Sequence, residues 1–286
     1  MEIFTKIPAT RAQVADWRRA GQRIALVPTM GALHDGHLSL VAQALSCADR
    51  VIVSLFVNPL QFGPNEDFDR YPRTFERDCE LLNARGVHAL FAPADAQMYP
   101  DGREGQTRVH VPGLSDMLCG LSRPGFFDGV ATVVTKLFNA VQPDIAIFGE
   151  KDFQQLVVIR RLVRDLNLPI EILSGPTVRE VDGLALSSRN AYLSDAERVA
   201  APALYRQLQQ AAQALRDGCS PAAAEAEGER ALNAVGFNTD YFSVRRAHDL
   251  GAAQPCDAAL VILVAAYLGS TRLIDNLLLQ RPAART

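Results

Sequence analysis

The sequence has little of what marks secreted, membrane-spanning or nucleic-acid-binding chains. Its five cysteines, Cys47, Cys79, Cys119, Cys219 and Cys256, are odd in number, widely scattered and never spaced as C-x-x-C. That pattern argues against a disulfide framework and against a zinc ribbon. The longest apolar candidate, Ala258–Leu268, falls well short of the ~18–20 residues that a spanning helix needs. The start of the chain, MEIFTKIPATRAQVADW, carries charges and no apolar run of the secretory type. A reduced, cytoplasmic setting is the expectation. Charge of one sign is lacking too. A net charge of −3 and an isoelectric point near 6.0 leave no global field for nucleic acid or an anionic membrane. Neither is expected as a partner, and phosphate binding would have to come from a local site.

What is present suits a folded globular chain of more than one domain. The chain has 286 residues, 48% of them hydrophobic and 21% charged, and it exceeds the ~100–200 residues of a single ordinary domain. Short apolar runs at Ile24–Val27, Val51–Val57, Ala89–Phe91, Ile145–Phe148 and Ile170–Leu173 read as strands. Between them, Leu38–Leu45, Thr74–Arg85, Val130–Val141 and a stretch from about Asp152 to Leu166 have helical spacing. Such alternation predicts a parallel sheet with helices on both faces, a Rossmann-like α/β domain over residues 1–175. The pattern changes after Pro176. One long helix over Asp195–Arg216, a second over Ala222–Val235, and strands at Asp240–Val244 and Leu260–Leu268 predict a smaller α+β domain over residues 176–286. The boundary is placed near Ser174–Val178.

Four segments carry candidate chemistry. The first runs Pro28-Thr29-Met30-Gly31-Ala32-Leu33-His34-Asp35-Gly36-His37, between a strand and a helix. Glycines permit close approach of backbone to ligand, and a helix N-terminus presents free N–H groups and partial positive charge. His34 and His37, three apart, share a face on a first helical turn and can donate to phosphate oxygens. A plain turn with two solvated histidines, or a metal site lacking its third ligand, are the competing readings. The second segment, Asn58-Pro59-Leu60-Gln61-Phe62-Gly63, follows another strand; Asn58 and Gln61 could hold a small polar substrate without adding charge, or merely decorate a turn. The third, Gly149-Glu150-Lys151-Asp152-Phe153-Gln154-Gln155-Leu156, offers a phosphate-reaching lysine. Its Asp152 could cap a helix or help hold Mg²⁺, and Gln155 lies one turn on. The fourth, Leu186-Ser187-Ser188-Arg189-Asn190, joins two hydroxyls to a permanent cation, or is an ordinary loop. Asp78 reads as a solvated helix-face residue, and Cys47, Cys79 and Cys119 as buried small apolar groups.

Taken together, PTMGALHDGH, NPLQFG, YPRT, FGEKDFQQL and ALSSRN, in this order and near these spacings, resemble the pantothenate synthetase (pantoate–β-alanine ligase) family. The likeness runs from Pro28 to Leu273-Ile274-Asp275-Asn276. The His-x-Gly-His element alone is shared with a wider nucleotidyl-transfer superfamily. The resemblance implies that ATP, (R)-pantoate and β-alanine are substrates, that a pantoyl adenylate is the intermediate, that Mg²⁺ accompanies ATP, and that the chain forms a homodimer. It implies that Met30 to His37, Gly149 to Asp152, Val178 and Leu186 to Arg189 contact ATP, with His34, His37, Lys151 and Arg189 catalytic and His37 the proton donor. Gln61 and Gln155, with Asn58, would hold pantoate; Gln61 would also meet β-alanine; Asp78 matches a metal-linked acidic position. The chain departs from the family pattern at Phe126, where His is frequent, and at Phe153, where Tyr is usual. A nucleotidyltransferase acting on a phosphorylated substrate is the rival enzyme reading, but Gln61 and Gln155 predict a neutral pocket. A catalytically silent nucleotide binder is the other rival, and every phosphate-contacting residue type is in place.

Overall fold

The computed structural model describes residues 1–64 and 66–280. The chain divides into two compact units, one made of Met1–Glu150 with Val158–Pro176 and the other of Lys151–Val157 with the chain from Thr177 onward. In the first unit the elements run β1 (Glu2–Phe4), α1 (Ile7–Arg19), β2 (Ile24–Thr29), α2 (Asp35–Cys47), β3 (Arg50–Leu55), α3 (Phe75–Ala84), β4 (Ala89–Phe91), α4 (Asp95–Met98), α5 (Cys119–Ser122), α6 (Phe126–Val141) and β5 (Ile145–Gly149). Helix α7 (Phe153–Asp165) and strand β6 (Glu171–Gly175) follow.

The six strands form one parallel sheet in the order β1-β4-β3-β2-β5-β6. IALVPT, RVIVSL and IAIFG are nearly continuous apolar runs because these strands are covered on both faces. Side chains alternate across the sheet. Ala25, Val27, Val51, Val53, Ile145 and Ile147 share a core with Leu40, Val41 and Ala44 of α2 and Leu82 of α3. Phe148, one residue out of phase, meets Phe138 of α6 with ring centres 6.4 Å apart. Helix α6 starts four residues earlier than its apolar periodicity suggests, because Gly125, at φ +80°, turns the chain into it.

The second unit contains α8 (Asp195–Ala200), α9 (Ala203–Arg216), α10 (Pro221–Ala234) and an antiparallel sheet of β7 (Phe237–Arg246), β8 (Ala259–Leu268) and β9 (Thr271–Gln280), in that order. Two expectations change here. The single helix expected over Asp195–Arg216 is two, because Pro202 has no N–H to continue the first and sits instead at the start of the second. Strand β9 was not expected, since Asp275-Asn276 interrupts its apolar pattern; it is formed by a tight hairpin through Gly269-Ser270, at which Gly269 takes φ +57°. Leu204, Leu208 and Leu215 of α9 and Leu232 of α10 share a core with Phe242, Val244, Leu260, Ile262 and Val264.

Gly228 lies in the middle of α10, where glycine ordinarily weakens a helix. A Cβ there would stand 2.6 Å from the Phe242 ring. Gly228→Ala is therefore expected to destabilise the protein by roughly 1–3 kcal/mol through overpacking, despite the better helix former. Urea unfolding checks this; a stabilised Gly228→Ala would show that the ring moves aside freely.

Candidate active site

Strand β2 is the point at which the order of the sheet reverses. The chain proceeds from β2 to β3 on one side and from β5 to β6 on the other. Neighbouring strands whose connections leave in opposite directions open a crevice at their carboxyl ends, the usual ligand position in such sheets. The segments leaving β2 and β5 there start at Met30 and Glu150.

The Met30–His37 turn is held by Asp78. Gly31 takes φ +85° and Ala32 φ +51°. The second is a left-handed conformation that an alanine adopts at roughly 1–2 kcal/mol. The backbone N–H groups of Ala32 and Leu33 donate to the two oxygens of Asp78, each at 2.9 Å, and the Thr74 hydroxyl adds a bond of 3.1 Å. A Cβ on Gly31 would lie 3.1 Å from both Asp78 Oδ2 and Leu55 Cδ2. Asp78 is 0% exposed, which corrects the reading of it as a solvated surface residue. Each of its oxygens accepts from a main-chain amide. Among the described residues no group of three or more His, Cys, Asp or Glu side chains is arranged to hold a metal ion.

His34 caps helix α2. Its Nδ1 accepts from the Gly36 N–H at 3.2 Å, while the Nδ1 of His37 accepts from the His34 N–H at 3.4 Å. The two rings lie 4.1 Å apart, centre to centre. A ring nitrogen that accepts must carry a lone pair, so in the neutral ring the proton resides on Nε2. In both histidines Nδ1 fastens the helix start. Between them Gly36 keeps the cap compact, and Asp35 is exposed at the first turn, where an anion complements the helix dipole.

Asn58 caps, and Gln61 ends, a 3-10 turn, Pro59–Gln61, that packs against α6. A Cβ on Gly129 of α6 would reach within 2.2 Å of the Leu60 carbonyl oxygen, so only glycine allows the turn this close. Asn58 is buried, and its amide is fully engaged with Leu60, Tyr99, Gln61 and Gly129. Asn58 Nδ2 thereby touches Gln61 directly, at 3.1 Å. Gln61 Nε2 lies 2.8 Å from Met30 Sδ, which joins this turn to the β2 loop.

At the end of β5, Gly149 leads into a 3-10 turn, Glu150–Asp152, and the Ser174 hydroxyl donates to Glu150 at 2.9 Å. Asp152 is exposed, Gln154 buried and Gln155 half-buried. In the second unit, Asn276 Nδ2 of β9 donates to the Lys151 carbonyl at 2.9 Å. Beside it, Asp275 forms a bidentate pair with Arg179, at 2.6 and 2.9 Å. Arg179 also stacks 3.7 Å over the Tyr205 ring. The same arginine lies in a short hairpin in which Leu186 N–H donates to the Val178 carbonyl at 3.0 Å, so Val178 and Leu186 are neighbours. Ser187 Oγ then accepts from Arg189 N–H at 3.3 Å and starts the 3-10 turn Ser188–Tyr192.

The profile of the family described as pantoate-beta-alanine ligase matches residues 2–278. The chain belongs to that family. It is 60% identical to pantothenate synthetase of Pseudomonas aeruginosa strain UCBPP-PA14, over 97% of this chain and 98% of the relative. It is 61% identical to that of Pseudomonas entomophila strain L48, over 98% of each. Among solved structures, a pantothenate synthetase from Thermus thermophilus superposes with a TM-score of 0.90 at 48% identity, covering 97% of this chain and 99% of the other. A pantoate-beta-alanine ligase from Francisella tularensis, described as complexed with beta-gamma ATP and beta-alanine, gives 0.79 at 36% identity, covering 97% of each.

Against this family background, Phe126 acquires a structural role. The Arg123 guanidinium lies 3.7 Å over its ring, pairs with Glu66 at 2.6 Å and donates to the Gln61 carbonyl at 3.2 Å. The aromatic ring thus supports an arginine that braces the Gln61 turn. Phe153 is buried, an environment that suits a ring without a hydroxyl. Of the three cysteines expected inside, Cys119 is buried while Cys47 and Cys79 are half-buried. Sequence reasoning missed Tyr99, Gly129, Arg179 and the backbone role of Asp78, all of which act across long sequence separations. Asp78→Asn would set an amide N–H against one of the two backbone donors. A loss of about 1.5–3 kcal/mol is expected, measured by chemical denaturation; a loss under about 0.5 kcal/mol, within the range of ordinary surface changes, would show that the turn holds itself.

Proposed function

We propose that this chain catalyses the ATP-dependent condensation of (R)-pantoate with β-alanine, giving pantothenate, AMP and diphosphate through a pantoyl adenylate. The observation that carries the reading is the pair of imidazoles of His34 and His37, 4.1 Å apart at the helix cap that follows β2, in a chain of the ligase family. The Francisella relative described with beta-gamma ATP and beta-alanine supports the choice of substrates.

A carboxylate is a poor electrophile, and it must be activated before an amine can displace anything from it. In the first step a pantoate carboxylate oxygen attacks the α-phosphorus of ATP; a P–O bond forms and diphosphate leaves. In the second, the neutral amine of β-alanine attacks the acyl carbon, a C–N bond forms, the bond from that carbon to the AMP oxygen breaks so that AMP departs with the oxygen, and the nitrogen releases one proton to solvent. The obstacle in the first step is repulsion between the incoming carboxylate and the phosphates, and fixed donors relieve it. His34 and His37 donate to phosphate oxygens, His37 being the group assigned to proton donation, and the segment from Met30 through Gly36 lines the nucleotide. Lys151 and Arg189 supply cationic charge to the phosphates. Gly149, Glu150, Asp152, Val178, Leu186, Ser187 and Ser188 complete the assigned ATP contacts. Gln61 and Gln155 hold pantoate as neutral groups, which suits an acid that carries no phosphate.

Mg²⁺ fits this reading as a companion of ATP rather than as a caged ion. It commonly keeps several waters and binds substrate phosphates with one or two carboxylates, and Asp78 is committed to backbone amides. Asp152 is the exposed carboxylate of the Gly149–Asp152 segment and the residue that would help hold it; bound there, the ion supplies charge neutralisation. On the family resemblance we further assign a homodimer and a cytoplasmic location.

The decisive experiment uses pantoate labelled with ¹⁸O in its carboxylate, with ATP and Mg²⁺, with and without β-alanine. Label is expected in AMP, with pantothenate appearing only when β-alanine is added. Pantothenate with unlabelled AMP would overturn the adenylate, and neither product would overturn the ligase reading. Lys151→Ala and His37→Ala are each expected to slow single-turnover adenylate formation by on the order of 10²–10³; near-normal rates in both would refute their assignment.

A further inference from the structure

The geometry points to Tyr99 as the residue that braces the Asn58 amide, which in turn sets which end of the Gln61 amide meets substrate, and so as a specificity-determining positioning residue for the acid. The inference rests on the ligase reading above and concerns a residue 41 positions from Asn58, its hydrogen-bond partner.

The two ends of an amide side chain have the same shape, and only the surrounding hydrogen bonds say which is which. For Asn58 that question is settled by main-chain groups, each capable of one role. Its Oδ1 accepts the Leu60 N–H at 3.3 Å, and its Nδ2 donates to the Gly129 carbonyl at 3.1 Å. Flipping Asn58 would set donor against donor and acceptor against acceptor. With Oδ1 fixed as an acceptor, the Tyr99 hydroxyl at 2.6 Å must donate to it; with Nδ2 fixed as a donor, Gln61 Oε1 at 3.1 Å must accept from it. The remaining end of Gln61 is its NH₂. That group lies beside Met30 Sδ, a weak acceptor, and Gln61 retains some exposure at 8% while Asn58 has 1% and Tyr99 3%.

Gln61 therefore offers a donor and only a donor. It takes an oxygen of a hydroxy acid, carboxylate or hydroxyl, and it disfavours an ammonium group. This sharpens the sequence expectation for Gln61. It suits pantoate, and it suits β-alanine only at that molecule's carboxylate. Tyr99 is built to hold this polarity. Its ring packs against Phe56, with centres 6.2 Å apart, and the Lys136 ammonium lies 5.2 Å from its centre. Burial pushes the hydroxyl well above the ordinary tyrosine range, so it remains a protonated donor wherever the enzyme would work. Without it, Asn58 Oδ1 keeps one partner, and the order relayed to Gln61 loosens.

The test compares wild type, Tyr99→Phe, Gln61→Glu and the double variant in steady-state pantothenate synthesis. Tyr99→Phe keeps the ring and the fold. Its KM for pantoate is expected to rise about tenfold, the scale of one hydrogen bond, with the KM for ATP unchanged within about twofold. Gln61→Glu replaces the donor with an anionic acceptor and is expected to raise the pantoate KM by about a hundredfold or more, as for a hydrogen bond to a charged group. Because Tyr99 acts through Gln61, the double variant should be no worse than Gln61→Glu alone. A Tyr99→Phe enzyme whose two KM values move together, or not at all, would overturn the role of Tyr99. Additive losses in the double variant would do the same, and a Gln61→Glu enzyme with unchanged pantoate KM would overturn the donor polarity. Wild type that makes no pantothenate would instead overturn the ligase reading on which the inference stands.

Discussion

The position of β2 between β3 and β5 constrains everything else in the first unit. A strand buried on both faces must be apolar along its length, and it can offer polar groups only where it ends. At that end the order of the sheet reverses, so the loops leaving β2 and β5 stand on either side of a crevice rather than covering it. The polar chemistry of the unit follows from this. Histidines, amide side chains and backbone N–H groups gather where the apolar strands stop.

Holding the β2 loop in place requires a second device, because Gly31 and Ala32 both take left-handed backbone conformations. Asp78 supplies it by accepting from two consecutive amides. A buried carboxylate is costly unless it is hydrogen-bonded, and here the loop provides the bonds that make the carboxylate tolerable while the carboxylate fixes the loop. The histidine cap works in a similar way. Each imidazole fastens the helix start with its Nδ1, so the cap and the two rings hold one another in place. The second unit shows the same logic at Arg179 and Asp275, where a bidentate ion pair sits beside the Asn276 amide that grips the Lys151 carbonyl.

Much of the fold was legible in the sequence for a physical reason. Strands buried on both faces leave unbroken apolar runs, and helices leave a periodicity near 3.6, so β2 to β6 and α2, α3, α6 and α7 announce themselves locally. The exceptions are instructive. The division between α8 and α9 depends on one proline within a stretch of otherwise good helix formers. Strand β9 hides because Asp275 and Asn276 look like loop residues until Arg179 and Lys151 are seen to receive them. The start of α6 depends on the backbone of a single glycine.

The sequence by itself determined the class of fold, the strands β2 to β6 with the main helices between them, and the short segments in which reactive side chain types cluster, because all of these are written within a few residues of one another. Only the tertiary structure decided what those side chains face. Asp78 proved to be a buried anchor rather than a surface acid, Asn58 a buried amide bonded to Gln61, and Tyr99 the partner of Asn58. Each of these roles is set by a hydrogen bond to a partner far away in the chain. Such a partner leaves no local periodicity or spacing, and burial alone makes the bond obligatory.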